Sequence, residues 1–385
     1  MRVLMLCGHF RPVVGGAERQ AELLAGALLR HGHAVEVLTP WHDRSWPEHE
    51  VADGLPIHRF PLTDLTRSIP GVRGLGVPNL WIERGQVRRA VRRALPGFDV
   101  LHAHLASPIV AFAIGPARER GVPVLCKVAC GGSDFDFRSL RAGSLLGPRL
   151  VRSLVEGVDR WVAISGEVRE DLRDARVPEP RIESIPNGID PAACPPGRAR
   201  GPARRFLCLG RLGKFDLLRL FEAFDVLLES FPEAELRVAG RGDEAAASAL
   251  LARFPRARAR AAVVGFLPSA EAMDWADALV HPSLAEGMSN ALLEAMCVGL
   301  PCVASDIAPN REVLGDTALL VPLGDAEALG AGMRRLALEP EVGARLVAAA
   351  RKRVGELFSI DRIATRYGAL YEELAQRRPP VRRSA

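Results

Sequence analysis

Two glutamates eight residues apart, Glu286 and Glu294, flank Gly287-Met288-Ser289-Asn290 in this 385-residue chain. The segment follows the apolar run Ala278-Leu279-Val280. It leads into Ala291-Leu292-Leu293-Glu294-Ala295-Met296-Cys297-Val298, where Glu294 is the one charge. A run apolar on nearly every face reads as a buried helix. A carboxylate left unpaired in a core costs roughly several kcal/mol. Glu294 is therefore expected to face a polar cavity or a bound partner, although a buried helix whose single glutamate reaches solvent also fits this stretch alone. Glu286 falls in the strand-to-helix turn beside Gly287. Between the two carboxylates, the amides of Met288, Ser289 and Asn290 lie at a helix N-terminus, where unpaired N–H groups and the helix dipole favour an anion.

Other chemistry-bearing residues recur at the ends of apolar runs. Gly210-Arg211-Leu212-Gly213-Lys214 offers two cations, a bidentate fork from Arg211 and a point charge from Lys214. Gly240-Arg241-Gly242 brings bare backbone to a neighbouring edge. Ser289 and the amides around it supply anion contacts, and Glu294 could accept both hydroxyls of a ribose. Together these suit a nucleoside diphosphate. In the first half, Gly15-Gly16 permits close backbone approach at a helix start, and His104 falls just past a strand. Asp134 and Asp136 form an Asp-x-Asp in a polar loop, a pattern too common to imply a metal, so no metal site is expected.

The elements needed to position these residues are those of alternating α/β folds. Val3–Cys7 reads as a buried strand, a helix starts near Ala17, and Ala34–Leu38 is the next strand. This is the start of a doubly wound unit, in which ligands sit at the carboxyl ends of the strands. Further strands are expected at 55–60, 99–102, 122–128, 160–165 and 181–185, with a helix over 81–95. The stretch Asp190–Ala203, with Pro191, Pro195, Pro196 and Pro202, keeps neither period and reads as a linker. The α/β plan then restarts with Phe206–Gly210. The expected organisation is a first domain over 1–190, a linker over 191–203, a second domain over 204–358, and a last helix with a basic tail over 359–385.

Composition is that of a soluble globular protein, with 48% hydrophobic and 25% charged residues. A net charge of +5 is too modest to argue for nucleic acid. Seven scattered cysteines, several inside apolar runs, suggest reduced thiols rather than a disulfide framework. No apolar run is long enough to span a bilayer, and the N-terminus lacks the features of a signal peptide. A cytoplasmic protein is expected. Arg88, Arg89, Arg92 and Arg93 share one helix, either as a solvated face or as a patch for peripheral contact with an anionic membrane.

Gly15-Gly16-Ala17-Glu18, Ile185-Pro186-Asn187-Gly188-Ile189-Asp190, Gly210-Arg211-Leu212, Glu286 through Glu294, and Pro301-Cys302-Val303-Ala304-Ser305 occur in the order seen in family 4 glycosyltransferases, which the chain resembles over most of its length. The resemblance implies the GT-B fold: two Rossmann-like doubly wound domains facing a cleft, with the C-terminal helix packing back on the N-terminal domain. It implies a retaining enzyme that moves a hexose-type sugar from a nucleotide-diphosphate sugar to a glycan, lipid-linked or small-molecule acceptor. No cofactor is required, because cations aimed at the departing diphosphate can stabilise an oxocarbenium-like transition state. By position, Arg211 and Lys214 would neutralise the leaving group, Glu294 would hold the ribose, and Glu286 with the amides of Gly287, Met288, Ser289 and Asn290 would bind the donor sugar. Gly16 and Gly240 would approach the donor.

Two departures stand out. The family's usual His-Gly after the strand Leu125–Val128 is replaced by Ala129-Cys130, which leaves His104 and Asp134 as acceptor-side candidates. Lys214 follows Arg211 by three residues, where the family spacing is longer. A sugar-nucleotide epimerase of the same fold, or a non-catalytic nucleotide-sugar binder, are the alternatives. A dehydrogenase is disfavoured, since no Gly-x-Gly-x-x-Gly follows the first strand.

Overall fold

The computed structural model describes residues 1–13, 15–63, 76–132, 135–143, 145–194 and 201–377. Asp134 and the tail arginines Arg378, Arg382 and Arg383 lie outside the described residues. The chain divides into two compact units, one formed by Met1–Gly188 with the C-terminal stretch from Ile360, the other by Ile189–Ser359.

The first unit is built on an eight-stranded sheet. Its strands are β1 (Arg2–Cys7), β2 (Ala34–Pro40), β3 (His49–Ala52), β4 (Leu55–Phe60), β5 (Val100–His104), β6 (Val124–Val128), β7 (Arg160–Ala163) and β8 (Ile182–Ser184). The spatial order is β3-β4-β2-β1-β5-β6-β7-β8. Every pairing is parallel except the β3–β4 hairpin at the edge. Strands such as β5 and β6 are buried at every residue, as expected where helices cover both faces of a parallel sheet. The order reverses between β1 and β5, so the carboxyl ends of these two strands flank the switch point where open α/β sheets place ligands. Cys7 pairs with His104 there.

The helix Ile360–Gln376 belongs to this unit. Ile360, Ile363, Ala364, Tyr367, Leu370, Tyr371 and Leu374 form a buried stripe at helical spacing. The stripe joins the core built from β1, β2 and the helix Gly16–Arg30. The C-terminal helix thus packs on the N-terminal unit, as the resemblance implied.

The second unit carries a six-stranded, wholly parallel sheet of β9 (Arg205–Leu209), β10 (Glu235–Ala239), β11 (Ala261–Gly265), β12 (Ala278–His281), β13 (Cys302–Ser305) and β14 (Leu319–Val321). Its order is β11-β10-β9-β12-β13-β14, with the switch point between β9 and β12.

One sequence expectation needs correction. Cys194 and Cys297, 103 residues apart, are joined as a disulfide with Cα atoms 5.9 Å apart, in place of free thiols. Cys7, Cys126, Cys130, Cys208 and Cys302 form no disulfide among the described residues. The four arginines of the helix Gly76–Ala94 fall on two stripes. Residues four apart share a helical stripe; Arg88 and Arg92 both pair with Glu119, whereas Arg89 and Arg93 lie on the adjacent stripe.

Candidate functional site

The loops that leave β9 and β12 are zipped together by backbone hydrogen bonds. The Asp216 N–H donates to Pro282 O over 2.9 Å, and the Leu284 N–H donates to Lys214 O over 2.8 Å. Phe215 and Ser283 form an isolated antiparallel bridge. The fully buried Asn310 secures the far side, its Nδ2 donating to Ser283 Oγ over 3.1 Å and to Ser305 O over 2.9 Å. The lysine of one loop and the glutamate of the other are thereby brought together.

Lys214 Nζ lies 3.5 Å from Glu286 Oε2. His281, the last residue of β12, places Nε2 3.3 Å from Glu286 Oε1. That contact is off-line for a well-formed hydrogen bond, and neither buried nitrogen of His281 has a hydrogen-bond partner of good geometry. Phe215 packs edge-on against the imidazole, with ring centroids 5.2 Å apart. Burial pushes the Glu286 carboxyl up, but His281 and Lys214 outweigh it and hold the group below the ordinary glutamate value. Glu286 is therefore a carboxylate at neutral pH, poised to accept hydrogen bonds.

The helix Asn290–Val298 begins directly after this turn. Ser289 is its N-cap, its Oγ accepting from the Leu292 N–H at 3.4 Å. Gly299 closes the helix in the left-handed conformation at φ 82°. The positive end of the helix dipole, which favours an anion, lies beside Glu286. Gly287, Met288 and Ser289 are buried, and Glu294 is 9% exposed one turn into the helix. Arg211 is exposed at the start of the short 3-10 turn that carries Lys214.

Gly240 has a local packing reason for its residue type. Its φ is +147°, and a Cβ there would overlap the carbonyl oxygen of Gly210. The Leu212 N–H donates to Arg241 O over 3.0 Å, so the Gly240-Arg241-Gly242 turn buttresses the Arg211 loop.

In the first unit, Gly15 caps the helix that Gly16 begins. His104 closes β5 and is 5% exposed, its Nε2 buried without a hydrogen-bond partner. Burial, with His102 and Lys127 nearby, pushes the His104 imidazole well below its ordinary range. Burial likewise pushes Lys127 down to about 7. Asp136, expected in a polar loop, instead starts the helix Asp136–Gly143; it is raised by burial to about 7 and accepts the Ala106 N–H at 2.9 Å.

The structure brings Arg211, Lys214, Gly240, Glu286–Asn290 and Glu294 to the carboxyl edge of β9, β10 and β12. Gly16 and His104 belong to the other unit. Sequence reasoning missed His281 and Asn310. A polar residue ending a buried strand was the available signal for His281, the same one that flagged His104. Among the described residues, no group of three His, Cys, Asp or Glu side chains could hold a metal ion.

Comparison with known proteins bears on this geometry. The family described as Glycosyltransferase Family 4 matches residues 14–193, and that described as Glycosyl transferases group 1 matches residues 203–339. A phosphatidyl-myo-inositol mannosyltransferase of Mycobacterium leprae is 29% identical over 403 residues, spanning 97% of each chain. A glycogen synthase of Mycobacterium tuberculosis is 27% identical over 407 residues, spanning 96% of this chain and 94% of the relative. Among solved structures, HepE of Anabaena in complex with UDP-glucose aligns with a TM-score of 0.74 at 17% identity, over 97% of this chain and 100% of its own.

Proposed function

The chain belongs to the family 4 glycosyltransferases, and on that premise we propose that it is a retaining enzyme whose nucleotide-sugar donor lies at the carboxyl edge of β9 and β12. The observation that carries this reading is the row His281, Glu286 and Lys214, set beside the N-terminus of the helix Asn290–Val298.

Each residue then has a role that follows from its chemistry. The carboxylate of Glu286 accepts hydrogen bonds from the hydroxyls of the donor sugar. The helix amides and Arg211 take the diphosphate. Lys214, within reach of Glu286, is shared with the phosphate oxygens as negative charge grows on them. Glu294 accepts the ribose hydroxyls. As the bond from the anomeric carbon to the diphosphate breaks, the charge passes to the leaving group. Fixed cations and amides stabilise it without reorganising. The residues present supply this electrostatic help themselves, and no further cofactor is invoked.

The acceptor is proposed to be a hydroxyl of a glycan, a lipid-linked sugar or a polyol. Its support is the likeness to relatives named for phosphatidyl-myo-inositol and for glycogen. Peripheral contact with an anionic membrane has only half of the basic helix to draw on, since Arg88 and Arg92 are engaged by Glu119. No described helix is long and apolar enough to cross a membrane.

The test is transfer itself. The protein is mixed with UDP-, GDP- and ADP-sugars and a set of glycan, polyol and lipid acceptors, and nucleoside diphosphate release is followed. Release with one donor, dependent on acceptor and with the anomeric configuration kept, is the expected result. Donor binding without transfer to any acceptor would favour a non-catalytic sensor, and an epimerised nucleotide sugar would favour the epimerase.

A further inference from the structure

A cavity of about 770 Å³ lies within the first unit, between the helix Gly76–Ala94 and the face of the β2–β4 edge. Its size is that of a small-molecule site. Its lining comes from two walls of different chemistry. The helix wall is one stripe, carrying Ile82, Gln86, Arg89 and Arg93 at helical spacing, with Trp81 at its rim. Arg89 and Arg93 make no ion pair or hydrogen bond among the described residues, while their neighbours Arg88 and Arg92 are consumed by Glu119. Trp81 is 60% exposed although it is the largest side chain on the helix, and Arg84 lies over its ring at 5.1 Å.

The sheet wall presents the carboxylates of Glu36 and Glu48 beside the buried guanidinium of Arg59, which is paired with Glu50. His58 Nε2 lies 2.8 Å from Glu36 Oε2, and His49 Nδ1 lies 3.0 Å from His58 Nδ1. With His58 donating to the carboxylate, its Nδ1 accepts from His49. Glu36 is thereby oriented toward the cavity, and Glu48 lines it as well.

The two walls together restrict the ligand. A simple anion drawn by Arg89 and Arg93 would meet Glu36 and Glu48. An apolar chain would offer nothing to the guanidiniums of Arg89 and Arg93 and would desolvate the Glu36 carboxylate that His58 holds. A molecule bearing many hydroxyls satisfies both walls, donating to the carboxylates and accepting from the guanidiniums. An exposed indole adds a flat apolar surface for the C–H face of a pyranose ring. We propose that this cavity is a saccharide-binding site for a neutral oligosaccharide of a few units. It is built wholly within the first unit and is independent of the donor residues.

Binding is measured on the full chain by saturation-transfer NMR, with maltotriose, mannotriose and cellotriose at millimolar concentration. Inorganic phosphate and phosphatidylglycerol vesicles form separate arms. At least one trisaccharide is expected to bind. Trp81→Ala and the double variant Arg89→Gln/Arg93→Gln should each weaken it about tenfold or more, with the thermal midpoint kept because these side chains are exposed. Glu294→Ala should bind the saccharide as the unaltered protein does, which separates this site from the donor site. No trisaccharide bound, binding unchanged in both cavity variants, or binding of phosphate or vesicles alone with loss in the arginine variant would each overturn the proposal.

Discussion

Lys214 and Glu286 meet because two loops are held in register by backbone hydrogen bonds. The ionised state of Glu286 follows from what surrounds it. Burial alone would raise its pKa, and His281 with Lys214 reverses that. At the residue scale the account makes Lys214 a transition-state contact rather than a fold determinant. Lys214→Met should lower kcat by about 10²- to 10³-fold, a barrier increase of roughly 2.7–4 kcal/mol, with the melting midpoint little changed. Steady-state kinetics beside thermal denaturation checks this, and a loss of folding without a specific loss of turnover would contradict it. The glutamate pair was legible in the sequence because a lone charge in an apolar helix demands a partner. The contact of Lys214 with Glu286 was not, because it depends on β12 lying beside β9, and pairing between residues 72 apart leaves no local spacing to read.

At the scale of elements, most of the parallel strands were readable from their apolar runs, since strands buried on both faces leave little else to be. The four-residue edge strand β3 and the short helix Pro255–Arg260 were not expected. The former is only half-buried, and the latter is arginine-rich and too brief to show a period. The glycines after β10 were read as making room for a ligand, yet Gly240 also makes room for Gly210. Gly240→Ala should therefore destabilise the second unit by about 1–3 kcal/mol, seen as a lowered denaturation midpoint and weaker donor binding together. A midpoint equal to that of the unaltered protein would refute the packing role.

The helix Ile360–Gln376 offers a second element-level test. Tyr371 OH is 2.8 Å from His102 Nδ1, and Tyr367 stacks on the same imidazole with centroids 5.1 Å apart. His104 and Lys127 complete the buried surroundings. Burial, with Lys127 adding to it, pushes His102 down to about 3 from 6.5. Between those values the unfolded chain binds a proton that the folded one does not. Stability from this site is thus complete above the unfolded value and is lost as pH falls toward the folded one. Asp136, raised to about 7 from 3.8, acts in the opposite sense over part of that range, so the comparison must be with a variant. His102→Gln should lose less stability on acidification from pH 6.5 than the unaltered protein does, as measured by denaturant melts. An equal loss would remove His102 from the explanation.

At the scale of the whole molecule, the two α/β units were visible as a repeated plan. The return of the last helix to the first unit was implied by the family resemblance and follows the buried stripe ending in Leu374. The disulfide between Cys194 and Cys297 was hidden, because cysteines 103 residues apart carry no spacing signal. The central claim is that the second unit holds the nucleotide sugar through Glu286, the helix amides and Glu294. The measurement that meets it most directly is calorimetric titration of the full chain with UDP-glucose, GDP-mannose and ADP-glucose, repeated on Glu294→Ala. The account predicts that one donor binds and that the variant binds it at least about tenfold more weakly. Equal binding of that donor by the variant, or no binding of any donor, would contradict it.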